Sequence, residues 1–179
     1  AVFVPDYELS TEKARQALPR ELPYKDAVYN VSRVGLLPAA MNPMVLAQAA
    51  QQGKSGVAAA PAQDADTCAC AGGTRESPFA DELAAAQAQS NALLFTATQD
   101  KLHQPYRGTL MPPSTELIAL FRSKGYAAAV SGAGPCVLVL HYGNAREAID
   151  QIASEQLASG HWRVLHLPIN TAGVEIERR

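Results

Sequence analysis

The sequence predicts an α+β domain in which an antiparallel sheet carries helices packed on one face. Three observations predict it. Tyr126 to Tyr142 consists of two apolar runs joined by Ser131-Gly132-Ala133-Gly134-Pro135, and two glycines and a proline in that setting read as a tight connection between strands. The runs on either side are too apolar for a one-sided surface strand, so they read as the middle of a sheet buried on both faces. Helical segments stand before and after this hairpin, and β-prone runs stand near both ends of the chain.

Taken in order, Ala1 to Val4 is apolar and β-prone, and Pro5-Asp6 ends it. Leu9 to Pro19 is a short helix that Ser10 or Thr11 caps and Pro19 stops. After Pro23, Asp26 is the expected N-cap of a longer helix. Ala27, Val31, Val34 and Leu37 or Pro38 recur at helical spacing, with Arg33 at the edge of that stripe. Pro38 and Pro43 would kink or end this helix.

From Met44 to Gly73 alanine, glutamine, glycine and small polar residues dominate. Such a segment buries too little apolar surface to offset the entropy of ordering it, roughly 1–2 kcal/mol per residue. Residues Gln51 to Arg75 are therefore expected to be a flexible insertion within one domain, because core-like sequence continues on both sides. Ser77-Pro78-Phe79-Ala80-Asp81-Glu82 is a strong helix start, with a serine cap, proline at the first position and acids in the first turn. That helix is expected to run through Leu94 and Leu102 to about His103, and to be ended by Gln104-Pro105-Tyr106-Arg107. It should form an antiparallel pair with the helix before the insertion.

Ser114 to Lys124 is amphipathic, with Leu117, Leu120 and Phe121 inward and Gly125 as the C-cap. The hairpin follows. Gly143-Asn144 caps a further helix with Ala148, Ile149, Ile152, Ala153 and Leu157 on one face. His161 to Ile169 alternates in strand fashion, and Val174 and Ile176 give a last short strand. Strand, helices, hairpin, helix, strand is the order of a ferredoxin-like sandwich, which by itself says nothing of function.

The 179 residues suit a single domain over 1–179 with a sizeable core. Charged residues make up 18% and the net charge is −2, so no basic block marks a nucleic-acid or membrane surface. No apolar run approaches the roughly 20 residues a membrane helix needs. A signal-peptide pattern is not found. The three cysteines are Cys68, Cys70 and Cys136. Their odd number argues against a disulfide framework, and Cys-Ala-Cys lacks a second ligand pair at zinc spacing. No metal site is expected, and a cytoplasmic setting is. The chain opens on a strand already under way without an initiating methionine, so it is expected to be the later part of something longer.

Two arginines are candidates for anion binding. Arg33 borders an apolar helix stripe and Arg107 follows the helix-ending Pro105. A guanidinium fork can hold a carboxylate or phosphate through two parallel bonds; a surface salt bridge or a snorkelling side chain is the alternative. The Ser131 to Gly134 bend is either an ordinary hairpin or a backbone cradle for an anion, and it matches neither the P-loop nor the dinucleotide pattern. His103 is expected at a helix C-terminus, and His141, His161 and His166 as structural or surface residues. Asp26, Asp100 and Glu116 read as helix-end and surface acids. No serine, histidine and acid grouping suggests a hydrolase, and no catalytic residue is assigned.

Leu9-Ser10-Thr11-Glu12-Lys13-Ala14-Arg15, Asn30-Val31-Ser32-Arg33, Leu102-His103-Gln104-Pro105-Tyr106-Arg107 and Ser131-Gly132-Ala133-Gly134-Pro135 occur in that order. Together they resemble the C-terminal half of the homoserine kinases, a family of the GHMP kinase superfamily. The Ser-Gly-Ala-Gly-Pro run is similar to the superfamily's third motif. The resemblance implies transfer of the ATP γ-phosphoryl group to L-homoserine, giving O-phospho-L-homoserine for threonine biosynthesis. It implies that Arg33 and Arg107 hold the substrate carboxylate. Ser131, Gly132, Ala133 and Gly134 would approach substrate and phosphates through backbone groups, with Asn30 and Ser32 as secondary contacts. ATP and Mg²⁺ would be bound mainly by an N-terminal GHMP kinase domain, whose Pro-x-x-x-Gly-Leu-Gly-Ser-Ser loop this sequence does not contain. The chain alone is therefore expected to be inactive. Two other readings stay open: a non-catalytic module that binds a small amino acid or forms a homodimer through its sheet, and a relative acting on another small alcohol.

Overall fold

A computed structural model describes residues 1–42 and 78–168. Strand β1 (Val2–Pro5) is followed by helices α1 (Thr11–Gln16), α2 (Tyr24–Val34) and α3 (Leu37–Ala40). After α4 (Pro78–Ala97), α5 (Gln104–Arg107) runs into a 3₁₀ turn over Gly108–Leu110, and α6 (Pro112–Ser123) leads to the hairpin β2 (Ala127–Val130) and β3 (Val137–Leu140). Two short helices, α7 (Arg146–Ile152) and α8 (Ser154–Ala158), precede β4 (Trp162–Leu165). The four strands form one antiparallel sheet in the order β2-β3-β1-β4. With helices between β1 and β2 and between β3 and β4, this is the expected ferredoxin-like topology.

The register explains the core. Phe3 lies opposite Val137 and Val164, and Ala128 lies opposite Val139. Alternate residues of a strand point to one face, so these side chains share a face, and α6 and α7 cover it through Leu117, Ile118, Phe121 and Ile149. Phe3 and Phe121 are both fully buried, with ring centroids 5.1 Å apart. Burial of one such ring is worth about 1.5–3 kcal/mol. Ala127 and Leu140, paired with each other, point to the other face, where Ala127 packs with Ala40 of α3 and Leu94 of α4. The hairpin is thus covered on both sides at its start, and α4 closes the face that α6 and α7 leave.

Several expectations change. The longer helix begins at Tyr24 behind Pro23, and Asp26 sits inside the first turn instead of capping it. The apolar stripe of this helix is not buried throughout: Ala27 is half-buried, but Val31 is 73% and Val34 61% exposed. The helix turns Tyr29 and Asn30 towards the loop after α4. The α4 helix stops at Ala97 rather than His103, because the Asp100 carboxylate accepts the N–H groups of the residues that would have continued it. Residues 146–158 form two short helices meeting at Ala153, with Ala145 as N-cap and no side-chain cap from Asn144, and Ala148 is exposed. The Ser10 cap on α1 and the left-handed Gly125 (φ 83°) after α6 stand as expected. The Gln51–Arg75 insertion, Ser77, Cys68, Cys70 and the Val174–Ile176 strand lie outside the described residues. Among the described residues, no helix is long and apolar enough to cross a membrane.

Candidate active site

A cleft of about 370 Å³ opens between α2, the end of α4, α5 and the tip of the hairpin. Asn30 and Val34 line it from α2, Asp100, His103, Gln104 and Arg107 from the α4–α5 segment, and Val130 and Gly132 from the hairpin. The expected site residues fall into two groups. Asn30, Arg107 and Gly132 share this cleft, with Ser131, Ala133 and Gly134 in the same bend, while Arg33 and Ser32 are not among its lining residues. The Arg33 guanidinium lies 3.6 Å from the Tyr29 ring centroid, its Nη1 donates to Ser32 Oγ at 2.9 Å, and Ser32 Oγ donates to Tyr29 O at 2.7 Å.

Arg107 is placed from both sides. Its Nε donates to Ala14 O at 3.1 Å, and Nη1 reaches Gly132 O at 3.4 Å. Among the described residues no carboxylate lies within ion-pair distance of Arg107 or Arg33. A half-buried guanidinium held by two backbone carbonyls can still accept an external anion, since it carries five donors.

The bend is pinned from below. Gly132 (φ 62°) and Gly134 (φ 92°) occupy the left-handed region, which residues other than glycine enter at a cost. A side chain at Gly134 would lie 2.6 Å from Met111 Sδ, so glycine there also provides close packing. Ser114, fully buried at the start of α6, donates to Pro135 O at 2.5 Å. Ser114 Oγ therefore accepts from Tyr7 Oη, 2.6 Å away.

Asp100 is the residue that the sequence reading missed. It is not a surface acid: its side chain is 14% exposed. Oδ1 accepts from Asn30 Nδ2 and from Leu102 N (2.9 Å), and Oδ2 from His103 N (2.8 Å) and Gln104 N. Burial pushes its carboxyl up, but the bonds from Gln104, Asn30, Leu102 and His103 outweigh this and hold it below the usual carboxylate range. Asn30 is committed by the same contact, since its Oδ1 also accepts from Lys101 N at 2.9 Å. Gln104 Oε1 accepts from Val130 N at 3.1 Å, joining α5 to the end of β2. The available signal was an aspartate shortly before a Gln-Pro helix start, a setting in which its oxygens meet successive N–H groups.

Arg122 and the histidines lie outside this anion-binding arrangement or at its rim. Arg122 donates to Phe95 O (2.7 Å) and Ala128 O (2.8 Å), tying α4 and β2 to α6. His161 contacts Asp6 at 2.6 Å and His166 contacts Asp150 at 2.8 Å. His103 occupies the N-cap position of α5, not a helix C-terminus. Burial pushes the His141 imidazole pKa down. Among the described residues no group of three or more His, Cys, Asp or Glu could hold a metal ion.

Comparison with known proteins gives this arrangement a relationship. Residues 79–158 match the family described as GHMP kinases C terminal. The homoserine kinase of Leifsonia xyli subsp. xyli is 34% identical over 179 residues, 99% of this chain and 41% of that protein. The homoserine kinase of Clavibacter michiganensis subsp. michiganensis is 32% identical, over 98% of this chain and 41% of its own length. A crystal structure of homoserine kinase from Cytophaga hutchinsonii shares the fold, with a TM-score of 0.54 and 17% identity over 90% of this chain and 38% of that one. The chain thus spans about 41% of the length of these curated relatives. This chain carries a GHMP kinase C-terminal domain and, over nearly its whole length, is a homologue of the homoserine kinases.

Proposed function

We propose that this chain is the substrate-side part of a homoserine kinase, transferring the γ-phosphoryl group of ATP to the hydroxyl of L-homoserine in threonine biosynthesis in the cytoplasm. The observation that carries the reading is the cleft in which Arg107, placed against the carbonyl of Gly132, faces Asn30 and the glycine bend. Phosphoryl transfer depends on positioning and charge stabilisation more than on covalent help from the protein. Arg107 would take the amino-acid carboxylate in a two-bond fork. Arg33, one turn beyond Asn30 on α2, is the proposed second cation. The Ser131–Gly134 backbone would border the hydroxyl and the incoming phosphate.

Magnesium and nucleotide are a different matter. Among the described residues no three His, Cys, Asp or Glu side chains gather to form a metal site. We assign ATP and Mg²⁺ to an N-terminal GHMP kinase domain, as in the family resemblance, and expect this chain alone to be inactive.

A coupled ADP-release assay tests the reading. The full-length protein should turn over homoserine, the 179-residue chain should not, and Arg107→Ala should lower kcat/KM by about 100-fold, as loss of a charge-assisted fork implies. Homoserine should also raise the thermal midpoint, by ligand linkage, in wild type and not in Arg107→Ala. Wild-type turnover with no response to Arg107→Ala would refute the placement of the carboxylate.

A further inference from the structure

We propose that Asp100 is a positioning residue for the cleft: by joining α2 to the start of α5 it fixes where Arg107 presents its guanidinium and where the hairpin bend sits. The inference rests on the homoserine kinase reading for its substrate, and on hydrogen-bond geometry for everything else.

A carboxylate has only acceptors when ionised. Four N–H donors converge on this one, from Asn30 on α2 and from Leu102, His103 and Gln104 at the entry to α5. Asn30 is 70 residues away in sequence, so that bond is a tertiary tie, not a local cap. It is doubled by Lys101 N donating to Asn30 Oδ1 at 2.9 Å. The effect passes on in two directions. Along the chain, the fixed α5 entry sets Arg107, one helical turn later, against Ala14 O and Gly132 O. Across the cleft, Gln104 Oε1 takes Val130 N, the last residue of β2 before the bend. The carboxylate is thus bonded directly to two walls of the cleft and, through Gln104, linked to the third.

An Asp100→Asn substitution keeps shape and size and replaces one acceptor oxygen with a donor. Whichever way the amide turns, its NH₂ faces N–H groups that had been satisfied, so at least one tie must open. Asn30→Ala is the second variant. It leaves the three backbone N–H bonds to Asp100 in place and cuts the two bonds of Asn30, to Asp100 and from Lys101 N, while Tyr29 of α2 still donates to Gln99.

The test has two readouts on the full-length protein. In steady-state kinetics, Asp100→Asn should lower kcat/KM for homoserine by about 10–100-fold, a typical cost of displacing a positioning group. The loss with 3-aminopropan-1-ol, which has no carboxylate, should stay within about threefold, because an Arg107 set wrongly matters only to a carboxylate. Asn30→Ala should act in the same sense, and the double variant should be little worse than the more severe single one. Equal losses on both alcohols would make Asp100 merely structural and overturn the proposal, as would unchanged kinetics. The second readout needs no substrate. Amide hydrogen exchange at Val130, which Asp100 does not touch, should accelerate about tenfold or more in Asp100→Asn through loosening of Gln104. Unchanged protection at Val130 would overturn the proposal even in an active enzyme. Failure of wild type to phosphorylate homoserine would sink the functional reading alone, leaving the exchange result to decide the role of Asp100.

Discussion

Ser114→Ala isolates the peg beneath the glycine bend. Ser114 is fully buried, and its hydroxyl links Tyr7 to the carbonyl of Pro135. Removing the hydroxyl leaves the Pro135 carbonyl without its donor, a loss of about 1–3 kcal/mol for a buried group. Tyr7 is only half-buried, so its hydroxyl can turn to water and its lost bond costs about 0.5–1.5 kcal/mol. Alanine returns a few tenths of a kcal/mol through its better helix propensity, roughly 0.3–0.5. The net expectation is about 1–4 kcal/mol, from these terms. Tyr7→Phe removes only one bond and should cost about 1 kcal/mol. Adding it to Ser114→Ala should cost almost nothing further, because the two groups share that bond. Urea unfolding measures this directly. The single tryptophan, Trp162, packs edge-on against the Tyr7 ring at 6.5 Å between centroids, so its fluorescence reports this corner of the fold. The midpoint should fall with the slope unchanged. A Ser114→Ala protein within about 0.5 kcal/mol of wild type, the range of ordinary surface changes, would refute the peg. So would a Tyr7→Phe cost as large as that of Ser114→Ala.

The two bend glycines should differ under the same assay. Gly132→Ala meets open space and faces only the positive-φ penalty of about 1 kcal/mol. Gly134→Ala adds a clash with the buried Met111 sulfur at 2.6 Å, and should cost about 2–4 kcal/mol, combining the backbone and overpacking terms. Equal costs would mean that Met111 does not wedge the bend. Asp100 also predicts an acid dependence. Folding lowers its pKa, so its stabilisation is fully present above the usual carboxylate value of about 3.9 and is lost as pH falls through the lowered folded value. Asp100→Asn should therefore lose less stability than wild type as pH drops below about 4, and parallel acid profiles for the two proteins would count against that carboxylate.

What the sequence reveals and what it hides divide along one physical line. The hairpin was legible because its signals are local: apolar runs on either side of Gly132 and Gly134, and a bend that only glycine enters cheaply. The Ser10 cap and the Gly125 stop were legible for the same reason. The α2 orientation was not. Val31 and Val34 look like a core stripe, but the side the helix turns inward is fixed by Tyr29 and Asn30 bonding to Gln99 and Asp100, each 70 residues away. The end of α4 was hidden too, since no proline or glycine stands at Thr98 and the break is made by a carboxylate capturing N–H groups beyond it. For the site, Arg107 and the bend were readable as candidates, and the resemblance placed them together. Asp100 was not readable, because an acid tied by four donors and an acid in water are the same letter until the fold brings the donors to it.

The bonds from Arg122 and Gln104 to β2 have one more implication. Ala128 N–H bonds to Tyr126 O, the Ala128 carbonyl accepts from Arg122, and Val130 N–H is held by Gln104. A border strand normally offers such groups as a template on which another chain can zip up. Here they are already occupied within the molecule, by the Tyr126 carbonyl and by the Arg122 and Gln104 side chains, so the ladder cannot lengthen on the substrate side. Any extra strand would have to be laid along β4, at the opposite margin from the cleft.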